Sequence, residues 1–287
     1  MCSQNNIKKT VSMDSHQSQE KTSRVYWEKL WQSRHVPEPV NPHRPGLGNH
    51  IYRQWHAFFQ PLLSKRYIQS ILEIGCAGSP WLPYFSRQFG LKVTGLDRSV
   101  LGCKQAEEVL SRSGIKGQII NADLFSPPGE ILEAFDVVIS FGVVEHFIET
   151  EKPIYACSRF LRPGALMITV IPNLSGWMGR IQKHLDCKIY DVHIPLDRED
   201  LRVAHEMAGL DVSSCDYFLF LNLGILNFTK FSKEWPRLWP FAWRIRAILD
   251  RIAWLSESWF PYLCHSNKWT SPYIVCVAEK PDAGQPS

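Results

Sequence analysis

The chain has 287 residues, 45% of them hydrophobic and 21% charged, with a formal net charge of +4. This composition excludes disorder or fibre for the chain as a whole and leaves ample apolar material for a large α/β domain. The weak positive charge falls well short of a dedicated nucleic-acid binder's, so no nucleic-acid partner is expected.

Eight cysteines, at 2, 76, 103, 157, 187, 215, 264 and 276, stand without a C-x-x-C pair, against a zinc site and against a disulfide framework. A reducing, cytoplasmic location is the simpler expectation. Residues 1–24 are polar and lack the apolar run of a secretory signal, so they read as a disordered tail ahead of a single domain over 25–287. An amphipathic helix begins at 26–31, with 47–53 continuing it. From residue 71 strands and helices alternate. Strands are expected at 71–74, 92–96, 118–122, 135–141 and 166–171, and helices at 82–89, 100–112 and 154–160. Helical crossovers of this length imply a parallel sheet. A helix at 198–208, capped by Asp197, leads to a strand at 212–220, and 272–278 is the last strand. The fold class is therefore α/β, a Rossmann-like doubly wound, mostly parallel sheet with an aromatic-rich insertion at 221–271. The longest apolar run, 217–228, is short of the roughly 20 residues of a membrane span.

The first strand ends in Glu73-Ile-Gly75-Cys76-Ala77-Gly78-Ser79, a glycine turn that lets backbone approach a ligand at a helix N-terminus. A dinucleotide fingerprint would place an apolar residue at 73 and continue G-x-G-x-x-G. Here Asp97, followed by Arg98, ends the second strand, where it can accept from ribose hydroxyls, and Asp123, followed by Leu124, ends the third, where it can accept from an adenine amine. Singly, each acid has a plain alternative: Glu73 as a helix cap, Asp97 as a turn residue, Asp123 as the start of an Asx-turn. Together, three acids around a glycine turn suit a cationic, phosphate-free nucleoside.

At these residues the sequence resembles the class I S-adenosylmethionine-dependent methyltransferases, closely over 71–172 and loosely over 173–279. LEIGCAGS is similar to their first motif, TGLDRS to the ribose segment, NADLF to the adenine segment, FDVVISFGVVEHF to the fourth-strand motif and LRPGALMI to the turn before strand five. The sequence departs from the family at Ala77 and Ser79, which replace glycines around an extra Gly78, and at Ala165. The resemblance implies S-adenosyl-L-methionine as cofactor, an antiparallel last strand, and a cofactor site drawn from Glu73, Gly75, Cys76, Ala77, Gly78, Asp97, Arg98, Asp123, Leu124, Ser140 and Phe141.

The expected function is methyl transfer to a small-molecule or glycan acceptor, at oxygen. A non-catalytic cofactor-binding or scaffold protein and an NAD-dependent oxidoreductase are the alternatives. An oxygen acceptor needs a base. His146 follows the fourth strand and His193 lies in Tyr190-Asp191-Val-His193, so either is a candidate, with Asp191 orienting His193; His146 alternatively packs against the cofactor. Arg53 either meets the cofactor's carboxylate or lies on the surface. FGVVEHF offers no clustered Asp and Asn ligands, and no metal is expected. Residues 173–200 and 221–271 are expected to be acceptor-side or lid elements.

Six of the 11 tryptophans (235, 239, 243, 254, 259 and 269) fall in that insertion, and Arg237, Arg244 and Arg251 repeat every seventh residue, one stripe on a helix over 241–255. Three readings stay open: a hairpin packed on the sheet edge or in a dimer, a lid over a hydrophobic acceptor, or a peripheral membrane contact through 230–260. The oligomeric state is left open.

Overall fold

The computed structural model describes residues 20–282, apart from 66, 261 and 263; most of the expected tail, with Cys2, lies outside them. Two helices come first, α1 (Arg24–Gln32) and α2 (His50–Leu63). Then β1 (Ser70–Ile74), α3 (Leu82–Phe89), β2 (Lys92–Asp97), α4 (Val100–Arg112), β3 (Gly117–Asn121), β4 (Phe135–Phe141), α5 (Glu151–Ser158) and β5 (Leu161–Pro172) alternate. Helices α6 (Trp177–Leu185), α7 (Cys187–Asp191) and α8 (Arg198–Met207) lead to β6 (Asp211–Phe218). Helices α9 (Thr229–Glu234) and α10 (Trp239–Trp259) precede β7 (Tyr273–Glu279).

The seven strands form one sheet in the order β3-β2-β1-β4-β5-β7-β6. The pairs from β3 to β5 are parallel, and β7 runs antiparallel to both its neighbours. This is the Rossmann-like class expected, with the reversed strand that the resemblance implied. Alternation along the strands feeds two cores. Leu72, Ile74, Val138 and Met167 pack with Phe160 and Leu201 on one side, and Ile71, Val137, Ile139 and Ile168 pack with Phe59 and Phe85 on the other.

Caps set several boundaries. Ser99 accepts from Gly102 N at the start of α4, and Asp197 and Asp200 form a capping box on α8, as Asp197 was expected to do. The second core depends on α2, which is a separate helix rather than a continuation of α1. Its Trp55, Phe59 and Leu63 are buried at intervals of four, and Trp55 meets Phe218 with ring centroids 4.2 Å apart. Cys76, Cys103, Cys157, Cys215, Cys264 and Cys276 are free thiols.

The sheet reverses its winding between β1 and β4. In doubly wound folds a crevice opens there, outside the carboxyl ends of the strands. The loops after β1, β2, β3 and β4 all converge on it.

Candidate active site

A cavity of about 570 Å³ occupies this crevice. Its floor is the turn after β1. Gly75 has φ +74, and a Cβ there would stand 2.5 Å from Val143 Cγ2 in the loop after β4. Gly78, φ +57, faces Trp31 and Gln105 at 3.0–3.2 Å from where its Cβ would lie. Only glycine takes up both the left-handed backbone and the missing volume. Beside them the Ser79 hydroxyl donates to Glu73 Oε2 at 2.7 Å. Burial, reinforced by the nearby Asp97 charge, pushes the Glu73 carboxyl up to about 8 against that hydrogen bond.

Asp97 is held from both sides, Oδ2 accepting from Ala77 N at 3.1 Å and Oδ1 from Ser99 N at 2.7 Å. Burial raises its pKa in spite of these bonds. Fixed in this way, its oxygens keep lone pairs for a ligand in the cavity that both Asp97 and Glu73 line. Asp123 closes an Asx-turn, accepting from Phe125 N at 2.8 Å, and with Leu124 it also lines the cavity. Phe141 stacks on Trp81, 5.2 Å between centroids, at the same wall.

Two expected members are placed elsewhere. Cys76 is fully buried, its sulfur filling the space beside Gly95, and is not among the cavity-lining residues. Ser140 lies within β4 between Ile74 and Thr169, its hydroxyl without a hydrogen-bond partner among the described residues and also outside the lining. Ser140 is held there by its place within β4, whereas Cys76, in the turn after β1, is buried against the backbone of β2 at Gly95.

Arg98 is engaged by Glu20, Nη1 to Oε2 at 2.6 Å, with a second, shorter bond from Nη2 to Oε1. This corrects the expectation of a tail through residue 24. Residues 20–22 form a strap across the cavity: Glu20 bridges Phe147, Lys21 N donates to the His146 carbonyl at 2.8 Å, and Lys21 Nζ donates to the carbonyls of Asp191 and His193. Helix α1 follows, as the amphipathic pattern at 26–31 predicted. Glu28 accepts from Val100 N at 2.7 Å, which places its carboxylate at the N-terminus of α4, and Tyr26, Trp27 and Trp31 face the cavity. Arg53 donates to the Gly46 carbonyl and does not line the cavity, in keeping with its surface reading.

The two candidate histidines meet. Their ring centroids are 4.5 Å apart, although 46 residues separate them along the chain. His146 Nδ1 lies 2.8 Å from the Val192 carbonyl and His193 Nδ1 2.6 Å from that of Ile189. A carbonyl only accepts, so in both neutral rings Nδ1 carries the proton and Nε2 is an acceptor. Burial, then His193, holds His146 down to about 3; burial also lowers His193. Asp191 is exposed, and the Ile189 carbonyl does the orienting expected of it.

Sequence reasoning passed over Glu145. It is buried, both carboxylate oxygens lack a hydrogen-bond partner among the described residues, and burial pushes it up to about 8. One of its oxygens and one ring nitrogen of each histidine lie within 4.8 Å of one another, a grouping that can pass a proton or hold a divalent cation. Leu174, Ile189, Ile225 and Leu226 also line the cavity, together with Gln182 and Asn227.

The crevice, the glycine cradle and the flanking acids lie together on one cavity at the switch point of the Rossmann-like sheet. Residues 72–169 match a family model described as a methyltransferase domain. Among curated relatives, the ubiquinone biosynthesis O-methyltransferase of Maricaulis maris (strain MCS10) is 33% identical over 112 residues, 36% of this chain and 40% of that protein. The same enzyme of Klebsiella pneumoniae (strain 342) is 25% identical over 112 residues, 38% and 46% of the two chains. The matched stretch thus spans less than half the length of these relatives. Geranyl diphosphate C-methyltransferase from Streptomyces coelicolor A3(2), solved with Mg2+, geranyl diphosphate and S-adenosyl-L-homocysteine, superposes with a TM-score of 0.54 at 15% identity, covering 90% of this chain and 97% of that one. A SAM-dependent methyltransferase from Archaeoglobus fulgidus does so at 0.50 and 18% identity, covering 80% and 94%. At these identities the structural likeness speaks for the fold.

Proposed function

We propose that the protein transfers a methyl group from S-adenosylmethionine to a hydroxyl of a small, largely apolar acceptor. The observation that carries this reading is the pairing, in one cavity, of a carboxylate-flanked glycine cradle with the Glu145, His146 and His193 group. Bound in the cradle, S-adenosylmethionine supplies an electrophilic methyl on a sulfonium. Asp97 accepts the ribose hydroxyls, Leu124 and Phe141 flank the adenine, and Asp123 accepts from its amine. Asp97 and Asp123 at successive strand ends oppose a pyrophosphate, which disfavours a nicotinamide dinucleotide.

The acceptor enters along the wall formed by Leu174, Ile189 and Leu226, whose apolar character favours a hydrophobic molecule over a glycan. Its hydroxyl lies beside the Nε2 atoms of His146 and His193, and one of these neutral rings takes the proton as the methyl arrives. The strap and α1 exclude water and align the reactants. Support for an oxygen acceptor comes from the curated relatives, which are O-methyltransferases by name.

The test is transfer of labelled methyl from S-adenosylmethionine to hydroxylated aromatic acceptors. His146→Ala should lower turnover by about a hundredfold while S-adenosylhomocysteine affinity stays unchanged. Unchanged turnover would remove His146 from the chemistry. Transfer only to nitrogen or carbon acceptors would refute the oxygen assignment.

A further inference from the structure

The structure leaves one face of α10 uncovered. Leu238, Phe241, Ile245, Ile248, Ile252, Leu255 and Trp259 follow one another at alternating intervals of three and four, so they form a single stripe on the helix, and all are exposed. Phe241 is 67% exposed, Ile252 54% and Trp259 73%, and Phe260 and Tyr262 extend the apolar surface beyond the helix end. Isolated exposed apolar side chains need no explanation, but a contiguous stripe over five turns does.

The opposite face is the one that anchors the helix. Asp250 is buried and accepts from Leu223 N at 2.7 Å; Glu257 meets His50 Nε2 at 2.6 Å; Trp254 stacks against His50, 5.8 Å between centroids. Both acids of α10 are therefore spent on the inner face. Arg237, Arg244 and Arg251 each precede a stripe residue by one position and are exposed, so they line one edge of the apolar surface. Among the described residues of the outward arc there is no acid to balance them.

We propose that this face docks α10, lying flat, on a membrane surface carrying anionic phospholipid. Charge selects this occupant over a second copy. In an antiparallel pairing of two such helices the arginine edges face each other, and in a parallel pairing each meets an edge of Leu249 and Ser256 with no carboxylate. An anionic headgroup layer over acyl chains answers both the apolar stripe and its basic edge. No described helix is long and apolar enough to cross a membrane, so the contact is interfacial. The placement also serves the cavity. The segment 223–227 that α10 holds through Asp250 contributes Ile225 and Leu226 to the apolar acceptor wall, so an acceptor dissolved in the bilayer has a short path in.

The test is sedimentation of the full chain with vesicles of phosphatidylcholine alone and of equal parts phosphatidylcholine and phosphatidylglycerol. Binding should favour the mixed vesicles and weaken with salt. The double variant Ile248→Glu/Ile252→Glu should lose about tenfold or more of it. Arg244→Gln/Arg251→Gln should lose the preference for phosphatidylglycerol. Melting temperature and S-adenosylhomocysteine affinity must stay at the parent values, which separates loss of docking from loss of fold and is read independently of the methyltransferase assignment. No cosedimentation of the parent chain with either vesicle would overturn the proposal. So would a concentration-dependent dimer that the glutamate variant dissolves while vesicle binding persists.

Discussion

Glu73 couples the cofactor cradle to stability. An ordinary carboxyl ionises near 4.5, whereas Glu73, sealed under Ser79 and facing Asp97, ionises at about 8. Between those values the unfolded chain has released a proton that the folded chain still holds, so folding stability falls as pH rises across the window. Glu73→Gln should therefore flatten the decline in melting temperature between about pH 5 and 8 in the ligand-free protein. Glu145, also pushed up to about 8, contributes in the same window, so part of the slope survives in the single variant. An unchanged slope would mean that Glu73 is ionised in the folded state. The sequence marked Glu73 and Asp97 through their strand-end positions. Glu145 escaped because its meaning depends on what covers it: Ile194 N bonds the Glu145 carbonyl at 2.7 Å, and that return of the chain brings His193 over the site.

At the scale of elements, the strap of residues 20–22 and α1 is the part most open to change. It joins the body chiefly through polar contacts, foremost the Glu20–Arg98 pair. Arg98→Ala should release it and speed S-adenosylhomocysteine dissociation by about tenfold in stopped-flow measurements. Glu20→Gln should match it, since either change removes the same pair. An effect confined to Arg98→Ala would mean that Arg98 contacts the cofactor directly. Elements with local signals were the legible ones. Helices at 82–89 and 100–112 and the strand at 135–141 have the bounds read from the sequence, set by Gly90, by the Ser99 cap and by the apolar Val137-Val-Ile139 centre of the strand. Helix α2 is legible only in part, as a continuation over 47–53; its buried Trp55, Phe59 and Leu63 carry it on to residue 63, with Pro61 in its last turn. Strand β5 starts five residues earlier than expected, at Leu161, because it pairs with Phe135 across a register shift that no local pattern announces.

At the scale of the molecule, the sheet order and the crevice followed from the alternation of strands and helices, since right-handed crossovers leave few ways to stack it. The pairing of His146 with His193, and the outward turn of α10, belong to tertiary packing and could not be read from spacing alone. The insertion with six tryptophans divides its roles. Trp254 anchors α10 on His50, Trp269 accepts from Trp177 N through its carbonyl, and Trp259 faces outward. Everything proposed for the chemistry depends on a nucleoside carrying no phosphate binding between Gly75 and Asp97. Calorimetry on the purified chain with S-adenosylhomocysteine and with NAD tests this directly. The expected result is saturable heat with S-adenosylhomocysteine alone, weakened by about 2 kcal/mol in Asp97→Ala. Heat with NAD but none with S-adenosylhomocysteine would contradict it.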